Sequence, residues 1–580
     1  MIATMLLVVG IWITLAVWCV ALGRSILASL RSPARDLTSS CAAFWVGWGA
    51  LVAALQLWHV CLPVNGVALA FLGVIGCAAL AVHARQLRTI AGSCFRQHPG
   101  FCVLVAVVAV WLANRALAPI DGLTDAGLYH LAALRWARSF ALVPGLGNLH
   151  ARFAFDSSYF QFLAVLDDVV PRLRGYNLVP GLLILAALAQ TLRAAGRVLG
   201  ARSGDPASAH DVLAVVLVAP LVTLAMARGA STYADVPVFV LGVVVSLHLF
   251  HACALPSSSA TRRLDLFLVV FLSAIGITIK LSLVAMGAVA AATAMVLWCV
   301  PAEGGDGMPR VPASSTMLML LPGALVLAVW MGRGVVLSGY PAYPLPVGAV
   351  DVAWRLPHDD AAEMVRIIRS WARWPYHAGY YDTLDTWRWF WPWVKRATAA
   401  GFRPDGVVCP LVLLVIGLAA LVVLRRRLSA KDGVRLLIPV VPAACGTVFW
   451  FLIAPDPRFA GAALFVLGSG GLAAAVTLVR LPRQRWAVGF LVGFDCWFVL
   501  VTGWVHGFVV WPGPAGGLYP LPVAALEERR TASGLVVWVP VDSDQCWDAP
   551  LPCTPSFNPR LRLRWPDELG SGFVVDSAGG

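Results

Sequence analysis

Charge is what this chain has least of. Only 13% of its 580 residues are Asp, Glu, Lys or Arg, against 59% hydrophobic. Soluble domains carry about 25% charged residues, so an ordinary soluble domain is excluded and a polytopic membrane protein is indicated. Negative charge is the scarcer sign: 43 Lys and Arg stand against 30 Asp and Glu, a net +13. This excess does not imply a nucleic-acid partner. The cations cluster in short loops between apolar runs, as the positive-inside rule expects. The first apolar run, residues 2–22, has no basic n-region and no small-x-small cleavage site. It reads as a retained membrane span, not a signal peptide. No HxxxH or HExxH spacing is present, so the sequence offers no zinc site of that kind. No convincing internal repeat is visible, which counts against a transporter built from duplicated halves. Most of the thirteen Cys lie inside apolar runs, where they act as small hydrophobes. Cys546 and Cys553, in the polar C-terminal stretch, are the exceptions.

Long apolar runs are abundant. A run of about 17–25 residues can cross a bilayer as a helix. About fourteen occur, near 2–22, 42–62, 66–83, 101–119, 177–197, 210–227, 234–254, 264–281, 283–300, 316–337, 407–424, 435–454, 459–479 and 486–510. The expected fold is therefore all-α, with about fourteen transmembrane helices. The pairs 42–62/66–83 and 264–281/283–300 have very short connections and read as helical hairpins. The 24 Trp suit interfacial belts. With the N-terminus outside, the Arg-rich loops at Arg24, Arg85, Arg193, Arg262, Arg310, Arg425 and Arg480 all fall in the cytoplasm. A membrane domain, 1–510, then sends loops 120–176 and 338–406 outward, followed by an outer tail, 511–580. Short outer turns fall near 228–233, 280–281 and 455–458. Every distinctive polar motif lies on that outer side.

The densest motif is the stretch 121–158. It brings Asp121, Asp125, Tyr129, His130, His150 and Arg152 together around a helix-like core, 128–143, stopped by Pro144-Gly145. A carboxylate at the outer end of a span can act as a general base or hold a divalent cation. Asp125 and Tyr129 are four apart, hence on one helical face. Equally, Asp125 can serve as the N-cap of the helix that follows. Asp235, one turn into a span and two residues before Pro237, carries the same ambiguity. Lys280 ends an apolar span, where it can snorkel or bind a lipid phosphate. Arg333 precedes the rigid aromatic turn with Tyr340 and Tyr343, side chains suited to a sugar or a lipid groove. Arg458, in Pro-Asp-Pro-Arg-Phe, can pair with Asp456 or take a phosphate. Cys546 and Cys553, seven apart in an outer tail, suggest a disulfide.

The order of these motifs resembles the GT-C superfamily of polyprenyl-phosphate-dependent glycosyltransferases. Asp125-Ala-Gly-Leu-Tyr129 resembles the family's Asp-Glu-x-x-Tyr loop, with Ala126 where the second acid stands. Tyr233-Ala-Asp-Val-Pro237 and Gly276-Ile-Thr-Ile-Lys280 resemble two later family features. A closer likeness is to an uncharacterised bacterial membrane-protein family, through Leu128-Tyr-His130, Gly339-Tyr-Pro-Ala-Tyr-Pro344 and the Cys546–Cys553 segment. The resemblance implies glycosyl transfer on the extracytoplasmic face of a bacterial cytoplasmic membrane. The donor would be a polyprenyl-phosphate sugar and the acceptor a glycan or lipid. Asp125 would be the base, or the ligand of a Mg or Mn ion, with Asp121 its companion. Tyr129, His130, His150, Arg152, Asp235, Lys280, Arg333, Tyr340, Tyr343 and Arg458 would bind substrate and phosphate. A flippase for lipid-linked saccharides and a non-enzymatic envelope assembly protein are the rival classes. A flippase calls for polar groups at mid-membrane, and Arg115 and Asp495 stand out as charges within the runs.

Overall fold

The computed structural model describes the chain outside residues 30–36, 121–124, 168, 171–172, 201–206, 300–312, 378, 400–405, 428, 480–482, 512, 514–517 and 577–580. Asp121 therefore lies outside the described residues.

The chain is mostly helical, as its long apolar runs require. In a bilayer core every backbone polar group must be satisfied within its own segment, which favours helices. Among the described residues, eleven helices are long and apolar enough to cross a membrane, from Ile2–Ser29 to Arg483–His506. Fourteen were expected, and each of the other three runs is also a helix. Pro99–Arg115 and Ala463–Thr477 are apolar but short, at 17 and 15 residues. Ala260–Ile279 is long enough but carries Arg262, Arg263 and Asp265 near its start. Arg115 is not a mid-span charge. It ends its helix and donates to the carbonyls of Gly507 and Met226.

Close packing rests on small residues. A Cβ on Gly23 would lie 1.8 Å from the Ala43 carbonyl, and one on Gly47 as close to that of Cys19. The helices Ile2–Ser29 and Leu37–Cys61 thus cross in backbone contact, as small residues allow between membrane helices. The helix Asp235–Ala254 is buried along most of its length. It forms a central column that presents Asp235 at one end of the bundle.

Among the described residues, strands occur only near the C-terminus. Leu526–Arg530 pairs antiparallel with Val536–Pro540, and Leu561–Leu563 with Phe573–Val575. These ribbons share an apolar core with the 126–157 region, built from Trp136, Leu142, Phe153, Val537, Leu561 and Phe573. Cys546 and Cys553 are disulfide-bonded, as their spacing suggested.

Candidate functional site

The expected amphipathic helix in the first outer loop has an unexpected start. Ala126–His130 is a π-turn, and only Leu131–Ser139 is α-helical. Leu131, Ala132, Leu134, Trp136 and Ala137 are its buried face. A single π-turn inside a helix frequently marks a functional site. Asp125 immediately precedes it with helical backbone angles and no side-chain capping bond. The capping explanation for this carboxylate is therefore removed.

Two arginines from distant segments hold Asp125 instead. Arg152 Nη1 donates to Oδ1 at 2.8 Å, and Arg458 Nη1 to Oδ2 at 3.2 Å. Arg152 comes from the short 3₁₀ turn Ala151–Ala154, and Arg458 from the turn Pro457–Ala460. Beside them Lys280 Nζ donates to Asp235 Oδ1 at 2.5 Å. Lys280 reaches that position because it caps the C-terminal end of Ala260–Ile279 in an extended conformation. Ser157 and Ser158 fasten the first loop to the same helix end, through Ile279 O at 2.9 Å and Thr278 Oγ1 at 2.8 Å.

Aromatic rings line the cations. Lys280 Nζ sits 4.3 Å over the Phe459 ring. The Arg458 guanidinium lies 4.9 Å from Phe459, 5.0 Å from Trp371 and 5.8 Å from Tyr233. Arg152 stands 5.7 Å over Tyr129, and Arg228 5.2 Å over Tyr233. Each such contact contributes about 0.5–2 kcal/mol, and together they fix where positive charge sits. His130 packs edge-on against Tyr129 and Tyr233 and shares a 2.8 Å hydrogen bond between Nδ1 and Thr232 Oγ1.

Burial and charge compete at this site. Burial pushes the Asp125 carboxyl up, but the positive groups around it, Arg458, Arg152 and Lys280 among them, pull it down by more. The net shift is downward, so Asp125 is an anion at neutral pH. Burial lowers His130 to about 4, so its imidazole is neutral. Burial also raises Asp456, outweighing the pull of Arg458 and Arg396. Asp456 accepts from the Arg458 backbone N–H at 3.1 Å and lies 3.7 Å from its side chain. The Asp456–Arg458 pair read from the sequence thus forms, and Arg458 reaches Asp125 as well.

Four of the six outer motifs meet here, contributing Asp125, Tyr129, His130, Arg152, Asp235, Lys280 and Arg458. Arg333 does not join them as an open phosphate ligand. It is buried, with Nη2 2.8 Å from Asp156 Oδ1 and Nη1 3.1 Å from Gln56 O. A cation placed inside an apolar helix needs a counterion, and Asp156 supplies it. Tyr340 is also spent on structure, its buried hydroxyl donating to Leu356 O. Tyr343 is buried against Phe155, which in turn touches Tyr129. His150 packs edge-on against Phe153. Sequence reasoning missed Trp371, Phe459, Asp156 and Thr232. Of these, only Asp156 had a readable signal, the need of Arg333 for a partner.

A family model described as a domain of unknown function, DUF8201, matches residues 5–465. No curated protein and no solved structure matches the chain.

Proposed function

The chain belongs to the DUF8201 family, whose description carries no activity; from the resemblance to the GT-C superfamily together with the site, we propose an integral membrane glycosyltransferase. It moves a sugar from a polyprenyl-phosphate donor to a glycan or lipid acceptor outside a bacterial cytoplasmic membrane. One observation carries the reading. A half-buried carboxylate is clamped by two arginines beside a Lys–Asp pair, at one end of an apolar helical body. That arrangement suits a phosphate on a lipid tail, which arrives from the membrane and competes for the same cations.

The mechanism follows from exchange of partners. Arg458 and Lys280 each hold a carboxylate when no ligand is bound. A donor phosphate that takes Arg458 and Lys280 leaves Asp125 held by Arg152 alone, with Oδ2 free. That oxygen accepts the proton of the acceptor hydroxyl as the hydroxyl oxygen attacks the anomeric carbon. The bond from that carbon to the phosphate oxygen breaks, and polyprenyl phosphate leaves with the bonding electrons. Arg458 and Lys280 stabilise that charge as it develops. Asp125, low in basicity while clamped, gains basicity only when the donor is seated.

A divalent cation does not fit this donor set. Both Asp125 oxygens face guanidinium groups, with Lys280 close by, so a second cation meets repulsion. Among the described residues no three His, Cys, Asp or Glu gather as a metal site. The steps above use no metal.

The reading has a two-part test. Asp125→Asn removes the base, and loss of a general base costs about 10²–10⁴ in rate. The same change removes the competitor for Arg458, so a short probe, farnesyl phosphate, binds about tenfold tighter, worth about 1.4 kcal/mol. Lys280→Ala weakens binding and Lys280→Arg restores part of it. Wild-type envelope glycans from Asp125→Asn cells, at matched expression, remove Asp125 from the mechanism. One observation favours the flippase class instead. Buried Asp265 accepts from His248 at 2.8 Å and His251 at 2.7 Å, near the ends of Asp235–Ala254 and Ala260–Ile279 opposite to Asp235 and Lys280. Movement of a fluorescent lipid-linked saccharide across proteoliposomes separates the two classes.

A further inference from the structure

The C-terminal segment lies beyond the family match, yet it touches the π-turn that carries Asp125. A π-turn bonds each N–H one residue further back than an α-helix, as Leu131 N–H does with Ala126 O. Gly127 O also accepts from the Trp547 backbone N–H, at 2.8 Å. Trp547 adopts a left-handed φ of 49° to make that bond, a conformation that costs a non-glycine residue free energy. The contact leaves no space. A Cβ on Gly127 would stand 2.6 Å from Trp547 Cδ2 and 2.6 Å from Gln545 Oε1. Gly127 is therefore glycine because the indole lies on its Cα.

The segment cannot drift from this seat. Its buried Cys546 and Cys553 close the loop around Trp547. Arg135, one turn beyond the π-turn, donates to Asp548 O at 2.7 Å and Ala549 O at 2.9 Å. Arg174 holds the Asp548 carboxylate at 2.8 Å, and Arg174 and Arg138 both reach Asp167, at 3.7 and 3.5 Å. Further along, Phe573 N–H donates to Pro144 O at 2.9 Å. Gly127 and Arg174, near the two ends of the first outer loop, are thus tied to one disulfide-closed element, and Pro144 to the strand Phe573–Val575 beyond it.

We infer that this closed loop is the seat of the π-turn, and that Trp547 is a positioning residue that holds Asp125 between Arg152 and Arg458. The inference rests on the reading of Asp125 as the acting carboxylate. It assigns the C-terminal segment to the site as a working part and not as a passive cover.

The sign of one measurement separates positioning from general damage. If Trp547 acts through Asp125, Trp547→Ala loosens the clamp and frees Arg458. Farnesyl phosphate then binds about threefold tighter to full-length Trp547→Ala protein in nanodiscs, in the same direction as Asp125→Asn. In the Asp125→Asn background, Trp547→Ala adds nothing, because coupled residues are non-additive. Trp547→Phe, which keeps a ring on Gly127, behaves as wild type. Weaker binding by Trp547→Ala, or additive effects in the double variant, overturns the inference. Amide exchange across 126–131 is read on the same samples. If neither wild type nor Asp125→Asn binds the probe, the proposed function fails, and exchange alone decides the inference. Faster exchange in Trp547→Ala with wild-type exchange in Trp547→Phe then sustains it; unchanged exchange in Trp547→Ala overturns it.

Discussion

His130 shows how a single side chain reports on its surroundings. It was read from the sequence as a substrate contact, and it sits buried behind Asp125 against Tyr129, Phe160 and Tyr233. Burial lowers its pKa from 6.5 to about 4. The unfolded chain therefore binds a proton between those values that the folded chain refuses. The associated stability is fully present above pH 6.5 and declines as pH falls toward 4. The loss is of the order of roughly 3 kcal/mol if the unfolded histidine is unperturbed. Detergent-solubilised protein should melt at progressively lower temperature across that window. His130→Asn should make the dependence shallower, since Asn cannot take up the proton, while His150, which burial also lowers to about 4, keeps its share. An equally steep slope in the variant would assign the effect to other groups.

At the level of elements, the most consequential tie is the one sequence reasoning assigned to ligand binding. Arg333, inside the helix Ala313–Ser338, binds Asp156 and reaches Gln56 O and His59 Nδ1 of Leu37–Cys61. Three segments meet at one guanidinium. Breaking a buried pair by removing one partner costs about 3–5 kcal/mol, whereas replacing both with apolar groups is often neutral. Arg333→Met should lower the melting temperature strongly, and Arg333→Met with Asp156→Leu should recover most of it. Full stability in the single variant would deny the pair its role. The sequence made the helices legible because apolar run length and cation bias are local properties. It also made Asp125, Asp235, Lys280 and Arg458 legible as polar groups at span ends, where bare charge is costly. It could not reveal which of them meet. Asp125 and Arg458 are 333 positions apart, and nothing local encodes that contact. The π-turn was equally hidden, because its cause lies in Trp547 and not in residues 126–130.

Taken whole, the molecule gathers at one end the segments that the charge bias puts outside. The first loop, the starts and ends of four helices, the 358–373 helix through Trp371, and the C-terminal ribbons all contribute. The opposite helix ends have contacts of their own, such as Arg197 with Asp211 at 2.6 Å and Gln484 with the Ala207 backbone. Reporter enzymes fused after Arg427 and after Gly580 should therefore be active in opposite compartments, with the Gly580 fusion outside. Activity of both in the same compartment would overturn the orientation, and with it an extracytoplasmic site.

The seat provided by Trp547 also sets a clock. A chain is synthesised from its N-terminus, and Arg135 lies 413 positions ahead of Asp548, its partner. At about 5–20 residues per second, roughly 20–80 s pass between the emergence of the two. During that interval the carboxylate already exists and the rest of the helical body is being made. The element that seats the turn does not yet exist, and neither does the oxidised cysteine pair that closes it. A ribosome that stops between residues 507 and 546 leaves in the membrane a chain with every described span and a loose Asp125. Completion of synthesis and of cysteine oxidation thus becomes a condition for an ordered site, so unfinished copies are silent in the bilayer.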